Sequence, residues 1–291
     1  MTLLAHISDL HLIERGHDKR RGLARQRLAF LSAGVPLDAE LRIRQAVSAL
    51  QTALRMGAEH VVVTGDLTED GDPAQFEVLA EVLSRSGIAP GDITLVPGNH
   101  DAYSERAAWG SALMGSLSAY RATCELGAHS LLTAAVVVPV STAIEGQWFT
   151  RSSGQVRADD VMAIRRLSSS PALRDRAIVV VQHHPVTQRA LLPLEWLDGA
   201  QNASSLRELL LERTRVHVLH GHVHRVQTRH LCGRNHAQVY AAAALRNHDG
   251  TKPVVRLYKA EAGRLYETEV AAPLMQPLAA ARPAVLSTAY A

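Results

Sequence analysis

Short apolar runs rich in valine and isoleucine recur along this chain and alternate with segments of helical period. Six such runs are predicted strands, at residues 3–8, 60–65, 93–98, 134–141, 177–183 and 216–221. The segments between them repeat apolar residues three or four positions apart, which predicts amphipathic helices. This alternation favours an α/β fold in which helices cover the sheets.

Two of these helices also carry sequence signals at their ends. Asp38 is placed as an N-cap and Gly57 as the C′ residue, so a helix is predicted between them. Asp72 and Pro73 begin another helix, which Gly87 ends. The same reasoning predicts two further helices, near residues 158–168 and 203–213.

The C-terminal part of the chain has a different pattern. The runs "QVYAAAAL", "PVVRLYKA" and "RLYETEV" predict antiparallel strands joined by turns at residues 249–250 and 262–263. From residue 271 onward the sequence is rich in alanine and proline and has no period that could bury a face. We therefore predict one domain over residues 1–270 and a mobile tail over residues 271–291.

Composition limits the classes of function. The 291 residues are 47% hydrophobic, and the formal net charge of +3 is too small to indicate a nucleic-acid polymer as a partner. The two cysteines cannot form a disulfide framework. No apolar run is long enough to span a bilayer and no secretory leader pattern is visible, so we expect a soluble, cytoplasmic protein.

Histidine is the residue type in excess, with 15 copies. Neutral imidazole is the commonest metal ligand at physiological pH. Residues that can bind metal follow five predicted strands: Asp9, His11, Asp66, Asn99, His100, Asp101, His183, His184, His222 and His224. Ligands gather at the carboxyl ends of strands in open α/β sheets, so these residues can share one site. Oxygen and nitrogen donors without thiolate suit manganese, iron or zinc.

The motifs that contain these residues are "DLH", "GDLTEDG", "GNHD", "HHP" and "GHVH", in that order over residues 9–224. Together they resemble the motifs of the calcineurin-like metallophosphoesterases, and the resemblance covers most of the chain. It implies a four-layer α/β/β/α sandwich of two mixed sheets flanked by helices. It also implies hydrolysis of phosphoester bonds at two divalent or trivalent metal ions.

The resemblance also implies a role for each matching residue. The first ion would be bound by Asp9, His11 and His224, the second by Asn99, His183 and His222, and Asp66 would bridge both. Adjacent strand residues point to opposite sides, so spacing alone leaves His183 and His184 as alternatives. The family's H-x-P form favours His183.

The expected chemistry is attack by a hydroxide that bridges the two ions. Such ions lie about 3.5–4 Å apart and lower the pKa of bound water towards about 7. By the resemblance, His100 faces the phosphate and protonates or stabilises the leaving oxygen, and Asn99 lies beside it at the substrate. Asp101 is the expected orienting partner.

A basic segment, residues 14–37, follows the first motif directly. Three interpretations remain open for it. In the first, the segment is a helical insertion whose arginines face water. In the second, it is a lid whose Arg20 and Arg21 bind the substrate phosphate. In the third, residues 15–31 form a patch that binds a membrane surface. Three aromatic residues are expected either at the mouth of the site or in the core: Trp148, Phe149 and Trp196.

The shared ligands do not encode the leaving group of the substrate. The short N-terminus, the "GNHD" form and the stretch "GQVRADDVMAIRRL" are similar to bacterial cyclic-nucleotide phosphodiesterase-like members. We therefore expect hydrolysis of small phosphodiesters, with 3′,5′-cyclic nucleotides as candidate substrates. A phosphomonoesterase, a lipid or nucleotide pyrophosphate hydrolase and a non-catalytic scaffold remain the alternatives, and the oligomeric state stays open.

Overall fold

Two β-sheets that pack face to face form the middle of the molecule. The computed structural model describes residues 1–32, 34–104, 107–125, 127–187, 196–231, 237–245 and 253–274. The strands are β1 (Thr2–Ile7), β2 (His60–Thr64), β3 (Ile93–Val96), β4 (Ser130–Leu131), β5 (Ala135–Pro139), β6 (Gly154–Gln155), β7 (Ala177–Val181), β8 (Ala200–Gln201), β9 (Val216–His220), β10 (Gln227–His230), β11 (Ala237–Ala241), β12 (Val255–Glu261) and β13 (Arg264–Ala271).

The two large sheets are mixed, with parallel strands at their centres. The first has the order β13-β12-β1-β2-β3, and the second has the order β10-β11-β9-β7-β5-β4. Strands β6 and β8 form a small separate sheet. The helices are α1 (Gly22–Ser32), α2 (Ala39–Arg55), α3 (Pro73–Ser86), α4 (Ala108–Met114), α5 (Arg121–Cys124), α6 (Ala158–Ser169) and α7 (Ser204–Glu212). All six predicted strands are confirmed within two residues at each end.

Three apolar clusters define four layers, which confirms the predicted α/β/β/α sandwich. Helices α2, α3 and α4 pack on the outer face of the first sheet, where Ile43 of α2 and Val61 of β2 belong to one apolar cluster. Helices α6 and α7 pack on the outer face of the second sheet. Between the sheets, Val62 of β2 and Val179 of β7 share a third cluster. Side chains alternate between the two faces of each strand, so every central strand contributes to two layers.

The predicted helix ends are confirmed at α2 and α3. The side chain of Asp38 accepts a hydrogen bond from Leu41 N at 2.9 Å, and that of Asp72 accepts one from Ala74 N at 3.0 Å. Gly57 and Gly87 follow these helices with φ angles of 82° and 80°. The helices predicted near residues 158–168 and 203–213 are α6 and α7.

The pairing predicted for the run at residues 238–245 is wrong. Strand β11 lies parallel to β9 and antiparallel to β10, so it belongs to the second sheet, whereas β12 and β13 belong to the first. A strand pattern predicts that a strand forms, but packing between distant elements selects its partner. The predicted turn at residues 262–263 joins β12 to β13, and the one at 249–250 lies outside the described residues.

The predicted tail also begins with ordered contacts. Residues 272–274 follow β13, and Leu274 O accepts a hydrogen bond from Ser48 Oγ of α2 at 2.7 Å. Residues 275–291 lie outside the described part of the chain.

A buried histidine between the sheets makes the stability of the fold depend on pH. His60 of β2 is fully buried, and its Nε2 lies 2.8 Å from Thr94 Oγ1. Burial lowers the pKa of His60 from 6.5 to about 4. Between these two pH values the unfolded chain binds a proton that the folded chain does not bind. The stability contributed by neutral His60 is therefore complete above pH 6.5 and is lost as the pH falls towards 4.

We expect replacement of His60 by glutamine to flatten this pH dependence. Wild-type protein should lose about 2 kcal/mol more unfolding free energy between pH 7 and pH 5 than the H60Q variant loses. Urea denaturation in EDTA measures this, and His129→Gln, which changes an exposed imidazole, is the matched control. Equal losses in wild type and H60Q would contradict the expectation.

Candidate metal centre

The predicted metal ligands follow the carboxyl ends of β1, β2, β3, β7 and β9, and the fold joins these five loops. His11 N donates a hydrogen bond to Asp66 O at 2.9 Å, which links the loop after β1 to the loop after β2. His183 Nδ1 lies 2.8 Å from Thr64 O, which links the second sheet to the first. Residues far apart in the sequence therefore meet at one edge of the sandwich.

Five of the seven predicted ligands adopt left-handed backbone conformations. Their φ angles are 54° at Asp9, 47° at His11, 47° at Asp66, 67° at His222 and 53° at His224. Among the described residues only three other non-glycine residues have positive φ, namely Ala107, Asn202 and Ala262. Such conformations cost roughly 1–3 kcal/mol each and persist where the surroundings enforce them, often at functional sites.

The first group of donors contains Asp9, His11, Asp66 and His224. One donor atom from each of the four residues lies within 4.8 Å of the others. Asp9 Oδ1 is 3.3 Å from His224 Nε2, and Asp66 Oδ2 is 3.9 Å from His11 Nε2. These are the three residues predicted for the first ion and the predicted bridging carboxylate.

The second group of donors shares Asp66 with the first. Asp66 Oδ2 is 3.3 Å from His183 Nε2, and this nitrogen is 3.1 Å from Asn99 Oδ1. The ring of His222 lies beside that of His183, with a centroid separation of 5.1 Å. Asp66 therefore lies between the two donor groups.

His184 lies near this second group, but both of its ring nitrogens have partners. Nδ1 is 2.8 Å from Thr142 Oγ1, and Nε2 is 2.9 Å from Ser152 O. Burial and the neighbouring imidazoles of His222 and His183 hold its pKa well below the usual value. One nitrogen each of His183, His184 and His222 could reach a common ion, but Nε2 of His183 lies beside the predicted ligands Asp66 and Asn99, whereas the partners of His184 are not predicted ligands. The geometry therefore favours His183 over His184 as the ligand.

Two glycines allow the loops to approach this closely. A Cβ atom at Gly98 would lie 2.2 Å from Asp66 Oδ1, and one at Gly221 would lie 2.6 Å from Asp9 Oδ2. Real Cβ contacts are never this short, so both positions require glycine.

The donor set fits a pair of metal ions. Asp9 Oδ2 is buried and has no hydrogen-bond partner among the described residues, which is costly unless a cation lies beside it. Burial alone would raise the pKa of Asp9 and Asp66. The imidazoles of His224 beside Asp9 and of His183 beside Asp66 outweigh burial and hold both pKa values below the usual range. Two carboxylates with imidazole and amide donors match divalent first-row metals.

His100 and Asp101 lie beside the centre and make different contacts. His100 Nδ1 is 2.6 Å from Glu69 O, while its Nε2 lies 3.9 Å from Asp66 Oδ2. The Asp101 carboxylate accepts hydrogen bonds at 2.7–3.0 Å from the backbone of Leu67, Thr68 and Gly98 and from the Thr68 hydroxyl. Burial, followed by the charge of Asp66, raises the pKa of Asp101 to about 6. Asp101 thus joins the loop after β2 to the loop after β3, and its orienting role towards His100 remains a prediction.

Comparison with known proteins identifies the family. The family model described as calcineurin-like phosphoesterase matches residues 2–226 of this chain. The chain belongs to the calcineurin-like phosphoesterase family. Members of this family are hydrolases that act on phosphoester bonds and depend on two metal ions.

A curated relative of this calcineurin-like phosphoesterase is a probable cyclic nucleotide phosphodiesterase from Psychrobacter arcticus. The two are 28% identical over 178 residues, which is 58% of this chain and 58% of the relative. This chain thus matches less than two thirds of the relative's length.

Solved structures share the fold. A dimetal phosphatase from Danio rerio superposes with a TM-score of 0.62 at 15% identity, over 94% of this chain and 99% of that one. A purple acid phosphatase from yellow lupin (Lupinus luteus) seeds gives 0.54 at 10% identity, over 93% of this chain and 53% of that one. At such low identities the likeness concerns the fold alone.

Sequence reasoning missed Glu69 and Arg42, which lie behind His11. The Glu69 carboxylate is 3.4 Å from His11 Nδ1 and accepts a hydrogen bond from Arg42 Nη1 at 2.6 Å. The same Nη1 donates to His11 O at 2.6 Å. Both side chains are buried. Glu69 lies within the motif "GDLTEDG", so the sequence contained a signal for it. Arg42 lies on α2, outside every motif, and no sequence signal pointed to it.

Asp198 and Tyr103 were also missed, and each contacts a predicted ligand of the second ion. Asp198 Oδ1 is 2.7 Å from His222 Nε2. Tyr103 accepts a hydrogen bond from Asn99 Nδ2 at 2.8 Å. These contacts leave Asn99 Oδ1 and His222 Nδ1 as the atoms that can bind an ion.

Ion pairs tie the basic segment 14–37 to the body of the protein. The guanidinium of Arg20 pairs with Glu14, Asp70 and Asp72 at 2.5, 2.7 and 3.1 Å, and Arg27 pairs with Asp70 at 2.8 Å. Only 9% of the Arg20 side chain is exposed. Its charge is compensated by these carboxylates, so the structure gives no support to the predicted phosphate contact of Arg20.

Residues Gly22–Ser32 of the segment form α1, which has one buried and one exposed side: Leu28 and Leu31 are buried, whereas Leu23 is exposed. Arg21 precedes the helix and is exposed. Phe30 is exposed and contacts Phe149 at a centroid distance of 5.4 Å. The lid and the membrane-surface patch remain predictions. Among the described residues no helix has the length and apolar character needed to cross a bilayer.

The three aromatic residues considered for the mouth of the site are not core residues. Trp148 and Trp196 are 59% and 57% exposed, and Phe149 is partly buried. Trp148 packs on Phe149, and Trp196 packs under the guanidinium of Arg151.

Proposed function

We propose that this protein hydrolyses small phosphodiesters at a centre of two metal ions. The observation that carries the proposal is the position of Asp66 between two donor groups, 3.3 Å from His183 Nε2 and 3.9 Å from His11 Nε2. A carboxylate shared in this way suits two ions that act on the same phosphoryl group.

Each ion would have its own set of ligands. The first would be bound by Asp9, His11 and His224, the second by Asn99, His183 and His222, and Asp66 would contact both. Manganese, iron and zinc suit this donor set. When bound, such ions polarise phosphoryl oxygens and lower the pKa of water.

The side chains around the centre would orient the substrate and move a proton. We propose that Nε2 of His100 donates a proton to the leaving oxygen. The other ring nitrogen, Nδ1, is held by its contact with Glu69 O, so Nε2 is the nitrogen on the side of Asp66. Asp101 would hold the loops that carry Asp66 and His100 at a constant separation.

Charge supports a diester as the substrate. A phosphodiester carries one negative charge, whereas a phosphomonoester carries close to two at neutral pH. Asp9 and Asp66 offset part of the charge of two divalent ions, and Asp198 beside His222 adds a third carboxylate. The relative from Psychrobacter arcticus, named as a probable cyclic nucleotide phosphodiesterase, supports cyclic nucleotides as candidate substrates. The cytoplasmic location and the absence of a nucleic-acid polymer as partner remain predictions.

A substrate panel tests the proposal. Purified protein loaded with Mn²⁺ should bind two ions per chain, hydrolyse bis(p-nitrophenyl) phosphate and cyclic AMP, and lose both activities in EDTA. Equal or faster hydrolysis of p-nitrophenyl phosphate would overturn the diester preference in favour of a monoesterase. No turnover of any of the three compounds would overturn the proposed function.

A further inference from the structure

The guanidinium of Arg151 lies over the ring of Trp196. Its Cζ lies 4.3 Å from the centroid of the Trp196 ring. Its Nε donates hydrogen bonds to Ser153 Oγ at 2.8 Å and to Trp196 O at 3.0 Å. The Arg151 plane is therefore fixed by three contacts, while Trp196 stays 57% exposed.

Two short chains of hydrogen bonds connect Arg151 to predicted ligands of the second ion. Tyr103 donates to Arg151 O at 2.9 Å and accepts from Asn99 Nδ2 at 2.8 Å. The neighbouring Ser152 donates to Asp198 Oδ1 at 2.7 Å, and this oxygen is 2.7 Å from His222 Nε2. The backbone of Arg151 and the side chain of Ser152 are thus connected to predicted ligands of the second ion, and Trp196 packs on the side chain of Arg151.

Arg151 also differs from the arginines of the basic segment. Arg20 and Arg27 lie against carboxylates at 2.5–3.1 Å. Within the described part of the chain, Arg151 has no carboxylate within ion-pair distance, and its bonds to protein atoms use Nε. Among the described residues its two terminal amino groups have no partner, so they can donate a pair of parallel hydrogen bonds to a ligand.

We propose that Arg151 and Trp196 form the subsite for the organic group of the phosphodiester and that this group carries a nucleobase, which stays bonded to its sugar when the P–O bond is hydrolysed. The exposed indole provides a surface for stacking of a planar ring. The terminal amino groups of Arg151 provide two donors for acceptors on the edge of the base. The inference rests on the proposed function and adds to it the residues that select nucleotides over diesters without a ring.

The test compares two phosphodiesters, one with a base and one without. Replacing Trp196 by alanine should raise KM for cyclic AMP about 10-fold and leave kcat within about twofold, because stacking is lost while the metal centre is kept. KM and kcat for glycerophosphoethanolamine, a diester without a ring, should not change. Trp196→Phe should restore most of the affinity. Arg151→Gln should raise KM for cyclic AMP in the same selective way.

Trp148→Ala is the matched control, because Trp148 is equally exposed but packs on Phe149 and not on Arg151. It should leave both substrates unaffected. Equal losses on both diesters in W196A, or no loss on either, would overturn the inference while the proposed function stands.

A binding measurement separates the two proposals. Calorimetric titration of 5′-AMP into manganese-loaded protein should show binding about 10-fold weaker in W196A than in wild type and unchanged in W148A. If wild-type protein hydrolyses neither diester, the proposed function fails, and this titration still decides the inference. Equal AMP affinity in wild type and W196A would overturn it.

Discussion

Replacing Asp66 with alanine is expected to remove activity and metal together. Asp66 Oδ2 lies within 4 Å of His11, His183 and His100, so its loss removes the donor shared by both groups. We expect kcat/KM for bis(p-nitrophenyl) phosphate to fall by at least about 10³-fold, because the two ions can no longer be held together. Metal analysis should show fewer than two ions per chain.

His100→Ala is the matched comparison, since His100 lies beside Asp66 but is not in the proposed ligand set. This variant should keep two ions and lose about 10²- to 10⁴-fold in kcat, as expected for a lost proton donor. Two ions bound at full occupancy by D66A would contradict the bridging role of Asp66. Full turnover by H100A would eliminate the proposed role of His100.

Replacing Arg42 with methionine is expected to destabilise the fold by about 3–5 kcal/mol, because it removes the guanidinium that compensates the charge of the buried Glu69 carboxylate. Arg42 is 4% exposed and Glu69 is fully buried, so water cannot replace the lost partner. In a chain of this size, a loss of this magnitude corresponds to a fall of about 10 °C in melting temperature. Thermal unfolding in EDTA measures the change in melting temperature of the metal-free protein, without any contribution from bound ions.

Two further variants show whether the buried charge is the cause. Replacing Arg42 and Glu69 together with apolar residues should restore a large part of the stability, since neither charge of this pair then remains buried. Arg121→Met breaks the exposed pair of Arg121 on α5 with Glu125, which follows the helix, and should leave the melting temperature unchanged. An R42M variant as stable as wild type would mean that the Glu69 charge is compensated without Arg42.

The strands and the candidate ligands could be predicted because both depend on local sequence. Apolar runs of β-branched residues define β2 and β7, and donors directly after a strand must lie at its carboxyl end. His183 could be separated from His184 only in three dimensions, because the distinction depends on Thr142 and on Ser152 O.

Contacts between side chains far apart in sequence could not be predicted. The arginines of the basic segment appear available for a phosphate until Asp70 is found 2.7 Å from Arg20. Arg151 had no motif around it, and its position depends on Trp196 and Tyr103, which lie on other loops. The partner of β11 is likewise decided by the packing of the second sheet and not by its own residues.

The left-handed residues at the centre mean that this chain gives up folding free energy to keep its donors in place. At Asp9 and His222, glycine would adopt the same backbone without steric strain but would supply no donor. Directed evolution for thermal stability alone, carried out without metal, would therefore favour glycine at these positions. The resulting proteins would be more stable but catalytically inactive. Grafting the same side chains onto a relaxed scaffold would likewise fail unless the new loops enforce the same unusual torsions.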